Sequence, residues 1–595
     1  MTETTHSKEV EPVTNAVVWS RNRLIFSAIS LMLCGLLGFI VPVETGQIWV
    51  RYSGYFFTLA SVCLFIYYAV KCYHSSVSNT FFRASRNRLI GAGFIALGAW
   101  ILFLHGSFDY KIAMDDYLLS ATAKTMHSSR EIAYTEFGRN IGNAFTPIQE
   151  TVDKRPWLYP FLVATGHDLI GYHPTTAFYV NAVLGVGFLG LVFYFGLCFG
   201  GILAGGLSVL LWVSMPLLSH NAMGSGMEML NLFCLQAVLV LSIHYLRKPT
   251  DASEGLLSLG MLLVANTRYE SGLFALPVLI IIAIGWYRSR RVFLSWGSIA
   301  SLILLLPSIW QLRVYGGNQS AWEMSSVEGS PFGWNHLVEN WPHALSFFFD
   351  TSDTLGNSFL ISAVGAISLI AFFILLRTEM KVYWRKNPAG VVLAVFSLFF
   401  IIHLLVMISF HSGKLDARFV SRYSLPFHVV LVSCTIALLT YISQRKKFTW
   451  GFAICISLIF IHSVTLPTNS KAIPTNSNFL VRELNWLSEI ADQSFKKESL
   501  IIDSYTVQWA LEERSALSPQ VAWYSVQRLA EEVSKLKYTS VYLVERVSLR
   551  GGEFKATDQD VAQFLRSSDS TLLAERSFRP LYLTRVYRLE NLPSE

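Results

Sequence analysis

At 595 residues, 52% hydrophobic and 15% charged, with a mean hydropathy of +0.43, the chain carries too little charge for a soluble protein, where about 25% is usual. Apolar runs of about 17 to 21 residues recur along it, long enough to cross a bilayer, so it reads as a polytopic α-helical membrane protein. The net charge of +7 sits in the short loops between those runs and gives no argument for a nucleic-acid partner.

The first 23 residues read as a polar cytoplasmic tail, and the apolar run that follows is long enough to remain as a span, so no cleaved signal peptide is expected. Thirteen spans are predicted, near 24–43, 54–71, 88–105, 177–197, 200–218, 228–246, 255–267, 272–287, 295–311, 358–376, 389–409, 424–442 and 449–465. The seventh and eighth are short and flank Asn266-Thr267-Arg268-Tyr269-Glu270, the pattern of a re-entrant or broken element. With the N-terminus inside, the inner loops hold eighteen Lys and Arg, from Arg21 to Lys447. The short outer loops hold six: Arg51, Arg268, Arg313, Lys414, Arg418 and Arg422. That bias fixes the expected orientation. Thirteen spans then place 106–176, Asn221 to Glu228, Thr267 to Glu270, 312–357, His411 to Tyr423 and the tail from 466 on one outer face.

The loop 106–176 opens with Met114-Asp115-Asp116-Tyr117 and closes on Lys154-Arg155-Pro156-Trp157-Leu158. A helix is expected from Tyr117. Leu158, Phe161, Leu162, Thr165 and Leu169 have the spacing of an amphipathic helix lying along the membrane surface. Loop 312–357 holds Trp322, Trp334, Trp341 and Phe347-Phe348-Phe349, which suit the bilayer interface or a platform for a sugar or lipid. From 466 to 595 the hydrophobic character drops. Helices are predicted over 479–493, 525–536 and 558–565, and strands over 499–503, 539–544, 572–575 and 581–589, a soluble α/β domain. It has neither a GxGxxG after a strand nor a P-loop. The seven cysteines all lie in or beside apolar segments and form no disulfide framework or CxxC metal signature.

Ionisable residues at a membrane edge are expensive to hold there and mark function. Asp115, Asp116, Arg155, Glu228, Arg268, Glu270, Arg418 and Arg422 all fall on the predicted outer face. Carboxylates can serve as a base, and arginines bind an anion through paired N–H donors. A base beside an anion site on the side of the membrane that lacks nucleotides suggests transfer from a pre-activated, phosphate-bearing lipid. Each residue also has a structural reading. Asp115 and Asp116 can cap a helix, Arg155 can snorkel to headgroups, and Arg268 with Glu270 can be an internal ion pair. Asp350 and Asp353 have the spacing of a metal-binding DxxD, a pair frequent in loops. No metal site is assigned, and no cofactor is required, although a divalent ion is compatible with the chemistry.

In this order the motifs resemble the GT-C class of membrane glycosyltransferases that use polyprenyl-phosphate sugars. The class includes protein O-mannosyltransferases, lipid A aminoarabinose transferases and mycobacterial arabinofuranosyltransferases. Asp115-Asp116 matches the acidic pair opening their first large outer loop, and Arg155-Pro156-Trp157-Leu158 resembles their Lys-Pro-Pro-Leu element. Ser225-Gly226-Met227-Glu228 resembles the Ser-Gly-Leu-Glu of the arabinofuranosyl branch. Thr267-Arg268-Tyr269-Glu270 and Arg422-Tyr423-Ser424-Leu425-Pro426 also look like family elements. The resemblance covers roughly residues 88–466, so the spans 24–43 and 54–71 stand as an N-terminal addition.

It implies a GT-C-like domain over 24–465 that moves one sugar, a pentose or hexose, from a polyprenyl-phosphate donor to an acceptor hydroxyl with inversion. Asp115 or Asp116 would be the base and Glu228 a second site carboxylate. Arg155, Arg268, Arg422 and Arg418 would hold the donor phosphate. Lys154, Glu270 and Tyr117 would position substrate. The implied partners are that donor, a glycan, lipid or protein acceptor, and membrane lipids. The implied location is the bacterial inner membrane, with the domain 466–595 periplasmic. A ligase using a polyprenyl-linked glycan and a lipid-linked sugar transporter or flippase are the alternatives.

Overall fold

The computed structural model describes residues 21–76, 85–104, 106–141, 144–316, 322, 324, 329–351, 355–417, 419–446, 449–470, 478–496, 498–535, 538–550 and 553–592. His105, Asp353 and Arg418 fall outside them.

Every one of the thirteen predicted spans is helical. Three helices lead: α1 (Arg21–Ile40), α2 (Val43–Ser76) and α3 (Ser85–Leu104). At about 1.5 Å per residue, the 34 residues of α2 outreach a bilayer core of about 30 Å. Its start packs against Trp310, whose ring centroid lies 5.1 Å from that of Trp49. There Arg51 binds Glu131 and Glu150, both at 2.6 Å. The predicted outer loop is built from α4 (Ala113–Ser129), the hairpin β1 (Tyr134–Ile141) and β2 (Ala144–Thr151), and α5 (Leu158–Ile170). The α5 pattern does not mark a surface helix. Leu158, Phe161, Val163, Ala164 and His167 are buried, and its exposed residues, Thr165, Asp168, Leu169 and Ile170, lie in its C-terminal half.

The bundle continues with α6 (Thr176–Gly200), α7 (Ile202–Val213), α8 (Pro216–Ala222), α9 (Glu228–Arg247) and α10 (Asp251–Ala265). Gly201, at φ +80°, turns the chain between α6 and α7. Gly196 lets the two pack closely, since a Cβ there would meet the Ala204 carbonyl at 2.7 Å. The chain has a break that the sequence reading does not place. Pro216 begins a new helix bent 79° from α7, so the predicted fifth span is a kinked pair. The expected interruption at 266–270 is present as well, as a short 3-10 turn Tyr269–Phe274 leading into α11 (Ala275–Ser289).

Next come α12 (Trp296–Leu304), α13 (Leu306–Gly316), α14 (Trp334–Phe348), α15 (Phe359–Lys386), α16 (Pro388–Ile408), α17 (Leu425–Lys446) and α18 (Thr449–Ser470). Ten helical segments among the described residues are long and apolar enough to cross a membrane, or eleven with the kinked pair. The 15 residues of α10 and the apolar stretch Gly451–Ser463 of α18 are shorter. On α14, Trp334, Val338, Trp341 and Leu345 form one exposed apolar face, the pattern of a helix at the bilayer interface.

The tail folds as α19 (Phe479–Ser494), β3 (Ser499–Ile502), α20 (Thr506–Leu511), β4 (Ser515–Leu517), α21 (Pro519–Tyr524), α22 (Val526–Ser534), β5 (Ser540–Arg550), β6 (Glu553–Ala556), α23 (Gln559–Ser567), β7 (Ser570–Arg579) and β8 (Tyr582–Leu589). The mixed sheet runs β4-β3-β5-β8-β7, parallel through its first three strands and antiparallel through its last three, with β6 paired to β5. Alternation sorts the side chains. Leu500, Ile502, Val541 and Leu543 pack with Leu529, Val561 and Phe564 on one face. Ile501, Val544 and Val586 pack with Leu484 and Leu487 of α19 on the other. Tyr117 and Ala121 of α4 belong to that second core, so one end of the bundle and the tail share a single hydrophobic core. The tail thus lies on the same side as the carboxylate loop. Lys124 donates to the Ala510 carbonyl (2.8 Å), Tyr172 Oη to that of Leu511 (2.7 Å), and Asn478 Nδ2 to that of Lys111 (3.0 Å).

Candidate functional site

Six of the sequence-predicted residues meet in one buried chain of alternating charge. Asp115 lies in the first turn of α4, and its Oδ1 accepts from Arg155 Nε at 2.9 Å and from Arg155 Nη2. Its Oδ2 accepts from Arg422 Nη2. Arg422 Nη1 then reaches Glu228 Oε1 at 2.8 Å, and Arg268 Nη1 reaches the same oxygen at 2.6 Å. Arg268 Nε closes the chain on Glu270. Asp153, which carries no role in the sequence pattern, holds the far end by accepting from Arg155 Nη1 at 2.8 Å. Arg155, Arg268, Arg422 and Glu228 are all buried, whereas the Asp115 side chain keeps about 20% of its surface open.

Local structure holds these groups in place. Arg155 follows β2, and Gln311 Nε2 pins its strand end by donating to the Asp153 and Arg155 carbonyls at 3.2 and 2.7 Å. Trp157 is fully buried and donates Nε1 to Thr58 Oγ1 at 2.9 Å, so the N-terminal α2 braces the Arg155 element. Glu228 begins α9, directly after Ser225-Gly226-Met227. Asn181 Nδ2 donates to the Gly224 and Gly226 carbonyls at 2.9 and 2.8 Å and holds that turn. Asn231 Oδ1 accepts from Thr267 and Ser271, both at 2.8 Å, tying α9 to the Arg268 segment. The guanidiniums of Arg268 and Arg422 lie 5.0 and 5.4 Å from the Tyr423 ring. Asn181 and Asn231 went unread because a lone Asn in an apolar run carries no spacing signal. Asp153 was legible as an acid two residues from Arg155.

Asp116 has a different environment. It is fully buried, and its Oδ2 accepts from the Lys111 and Ile112 amides at 2.7 and 3.2 Å. The helix-start role of an aspartate belongs to Asp116, while Asp115 faces the arginines. Burial pushes the Asp116 carboxyl up to about 7, opposed by the two amide bonds. Asp115 is also desolvated, but Arg155 and Arg422 hold it well below the usual carboxylate range. Burial lowers the Lys111 ammonium to about 8.

The buried polar atoms here that lack a partner include Asp116 Oδ1, Glu228 Oε2 and Arg422 Nε. A buried polar atom without a partner is costly, so each is a point where a ligand gains by binding. Gly226 marks where two of them converge, since a Cβ there would lie 2.3 Å from Glu228 Oε2 and 3.3 Å from Asp116 Oδ1. Glu228 cannot swing aside without breaking two arginine contacts. Gly226→Ala is therefore expected to lower turnover at least about tenfold and the melting temperature with it, as checked by a melting curve beside the rate. Normal turnover in that variant would place the reacting groups elsewhere.

Tyr117 points away from the ion chain and stacks on Tyr110, with ring centroids 4.0 Å apart. Lys154 is half-buried at the bend before Arg155. His403 Nε2 lies 3.8 Å from Glu270 Oε1. Among the described residues no three His, Cys, Asp or Glu side chains converge as a metal-ligand set.

No family model matches the chain, and no curated protein matches it in sequence. Among solved structures, ArnT from Cupriavidus metallidurans bound to undecaprenyl phosphate superposes with a TM-score of 0.52 at 13% identity, over 84% of this chain and 97% of that one. The same protein in its apo state gives a TM-score of 0.46 at 14% identity over the same shares. The archaeal oligosaccharyltransferase AglB from Archaeoglobus fulgidus, in complex with an inhibitory peptide and a dolichol-phosphate, gives 0.44 at 10% identity, over 80% of this chain and 74% of that one. At such identities the likeness speaks to architecture. The multi-pass bundle with its C-terminal mixed sheet has a GT-C-like fold.

Proposed function

We propose that this GT-C-like membrane protein transfers a single sugar from a polyprenyl-phosphate donor to an acceptor hydroxyl. The carrying observation is the chain Asp153-Arg155-Asp115-Arg422-Glu228-Arg268-Glu270, buried at one end of the bundle with an unpartnered guanidinium N–H and two unpartnered carboxylate oxygens at its centre. Guanidiniums suit a phosphate that leaves with growing charge, and carboxylate oxygens suit sugar and acceptor hydroxyls. The similarity of the bundle to ArnT bound to undecaprenyl phosphate supports a lipid-linked donor.

Asp115 is the base in this reading, because it is the carboxylate of the pair with open surface. Before the donor arrives, its two arginines keep it ionised and weakly basic. A donor phosphate draws N–H donors from Arg155 and Arg422 onto itself, which raises the affinity of Asp115 for a proton. The acceptor oxygen then attacks C1 of the sugar as its proton passes to Asp115. The bond from C1 to the phosphate oxygen breaks, and polyprenyl phosphate departs with the electron pair against Arg155, Arg422 and Arg268. One displacement inverts C1. Glu228 Oε2 orients hydroxyls beside the reacting carbon, and Asp116 holds the start of α4. The basic inner loops support an N-terminus in the cytoplasm of a bacterial inner membrane, with the site and the tail outside.

The test is mass spectrometry of envelope glycans, glycolipids and glycoproteins from wild type, a deletion, and the deletion carrying Asp115→Asn. One sugar lost on deletion and not restored by the variant supports transfer and names both sugar and acceptor. Unchanged glycans with lipid-linked sugar redistributed across the membrane would replace this reading with transport.

A further inference from the structure

A cavity opens where the tail meets the bundle. It holds about 410 Å³ and is walled by Tyr110, Tyr117, Asn485, Ser488, Gln508 and Glu512, with Asp492 and Arg514 at its edge. Its floor is aromatic, the stacked Tyr110 and Tyr117. Its other wall, on α19 and α20, offers amides, a hydroxyl and carboxylates. Tyr117 directly follows Asp116 in α4, so one helical turn faces the ion chain with its carboxylates and this cavity with its ring.

We infer that this cavity binds a neutral glycan segment of the acceptor, remote from the hydroxyl that reacts. The inference rests on the transfer reading above and deepens it. An aromatic floor covers the C–H face of a pyranose or furanose ring, while planar amides and carboxylates pair with adjacent hydroxyls. The size fits one or two sugar rings and lies within the range of ligand cavities. Charge sets the class. Arg514 is already engaged by Asp492 and by Glu512 at 3.4 Å, which leaves one carboxylate in excess. Burial also raises the Glu512 carboxyl, and Ser488 and Gln508 bond to it. Among the described lining residues no cation is left over for a phosphate, sulfate or uronate.

Two full-length variants test it. Ser488→Trp fills the cavity from α19, and Asn485→Ala removes an amide from its open rim. The acceptor is the glycan fraction from envelopes of the deletion strain, and the donor is its polyprenyl-linked sugar extract. Expected are a half-saturating glycan concentration at least about tenfold higher in Ser488→Trp, a smaller rise in Asn485→Ala, and donor half-saturation and kcat within twofold of wild type. Glycan half-saturation within twofold of wild type in both variants overturns the glycan subsite and leaves transfer standing. Should Ser488→Trp melt early, Asn485→Ala decides alone. Absence of transfer by the wild type would overturn the parent reading instead. The cavity is then judged by saturation-transfer NMR with the same glycan fraction: signals from wild type that Ser488→Trp loses support it, and none from wild type sink it.

Discussion

Asp115→Asn is expected to lower transfer by at least about 10²-fold, the scale of losing a positioned base, while the protein stays folded. Its partners do not become isolated charges, since Arg155 keeps Asp153 and Arg422 keeps Glu228. Donor affinity should hold or improve, because an amide competes less strongly than a carboxylate for the arginines the phosphate needs. This combination of lower kcat with unchanged or tighter donor binding separates a base from a scaffold residue. Single-turnover rates and donor titrations on purified protein check it. Transfer within tenfold of wild type would remove Asp115 from the chemistry. Asp116→Asn should cost less turnover, because its main bonds run to the Lys111 and Ile112 amides.

The second large effect is expected from Arg422→Lys. Arg422 spans Asp115 and Glu228 with two different nitrogens and keeps a third, Nε, unpartnered. An ammonium at the end of a flexible stem cannot reproduce that fork. Transfer should fall by about 10² to 10³-fold, the cost of losing a donor aimed at developing charge. Donor half-saturation should rise with it. The melting temperature should drop too, because two carboxylates in a dry environment lose a partner. Stability loss with unchanged donor half-saturation would make Arg422 a brace and leave the phosphate to Arg155 and Arg268.

Much of this site was legible before any coordinates. Charged residues at the ends of apolar runs are rare, and the parity of the spans put Asp115, Arg155, Glu228, Arg268, Glu270 and Arg422 on one face. The structure joins them although Asp115 and Arg422 lie 307 residues apart. Parity gives a side of the membrane and nothing about pairing, so the alternating order was invisible. The hairpin β1–β2 was missed because its solvent-facing strand β2 carries little apolar alternation. The kink at Pro216 had a signal, a proline inside a hydrophobic run, which hydropathy alone smooths over. In the tail, β3, β5, β7 and β8 were legible as short runs of strand-forming residues. The short β4, β6, α20 and α21 had too few residues to show a period. The cavity against Tyr117 was beyond reach, since nothing in the spacing of α19 says that it will face α4.

The shared core between α4 and the tail has a consequence for how the protein is made. Lys124 finds its partner at Ala510 only after 386 further residues have left the ribosome. At about 5 to 20 residues per second, that is a wait of about 20 to 80 s. Throughout it, α4 has been delivered to its side of the membrane with Tyr117 and Ala121 uncovered. The helix bearing both aspartates is then covered by a segment synthesised after the whole bundle. A chain cut short before α20 is therefore expected to insert its bundle while that face of α4 stays uncovered.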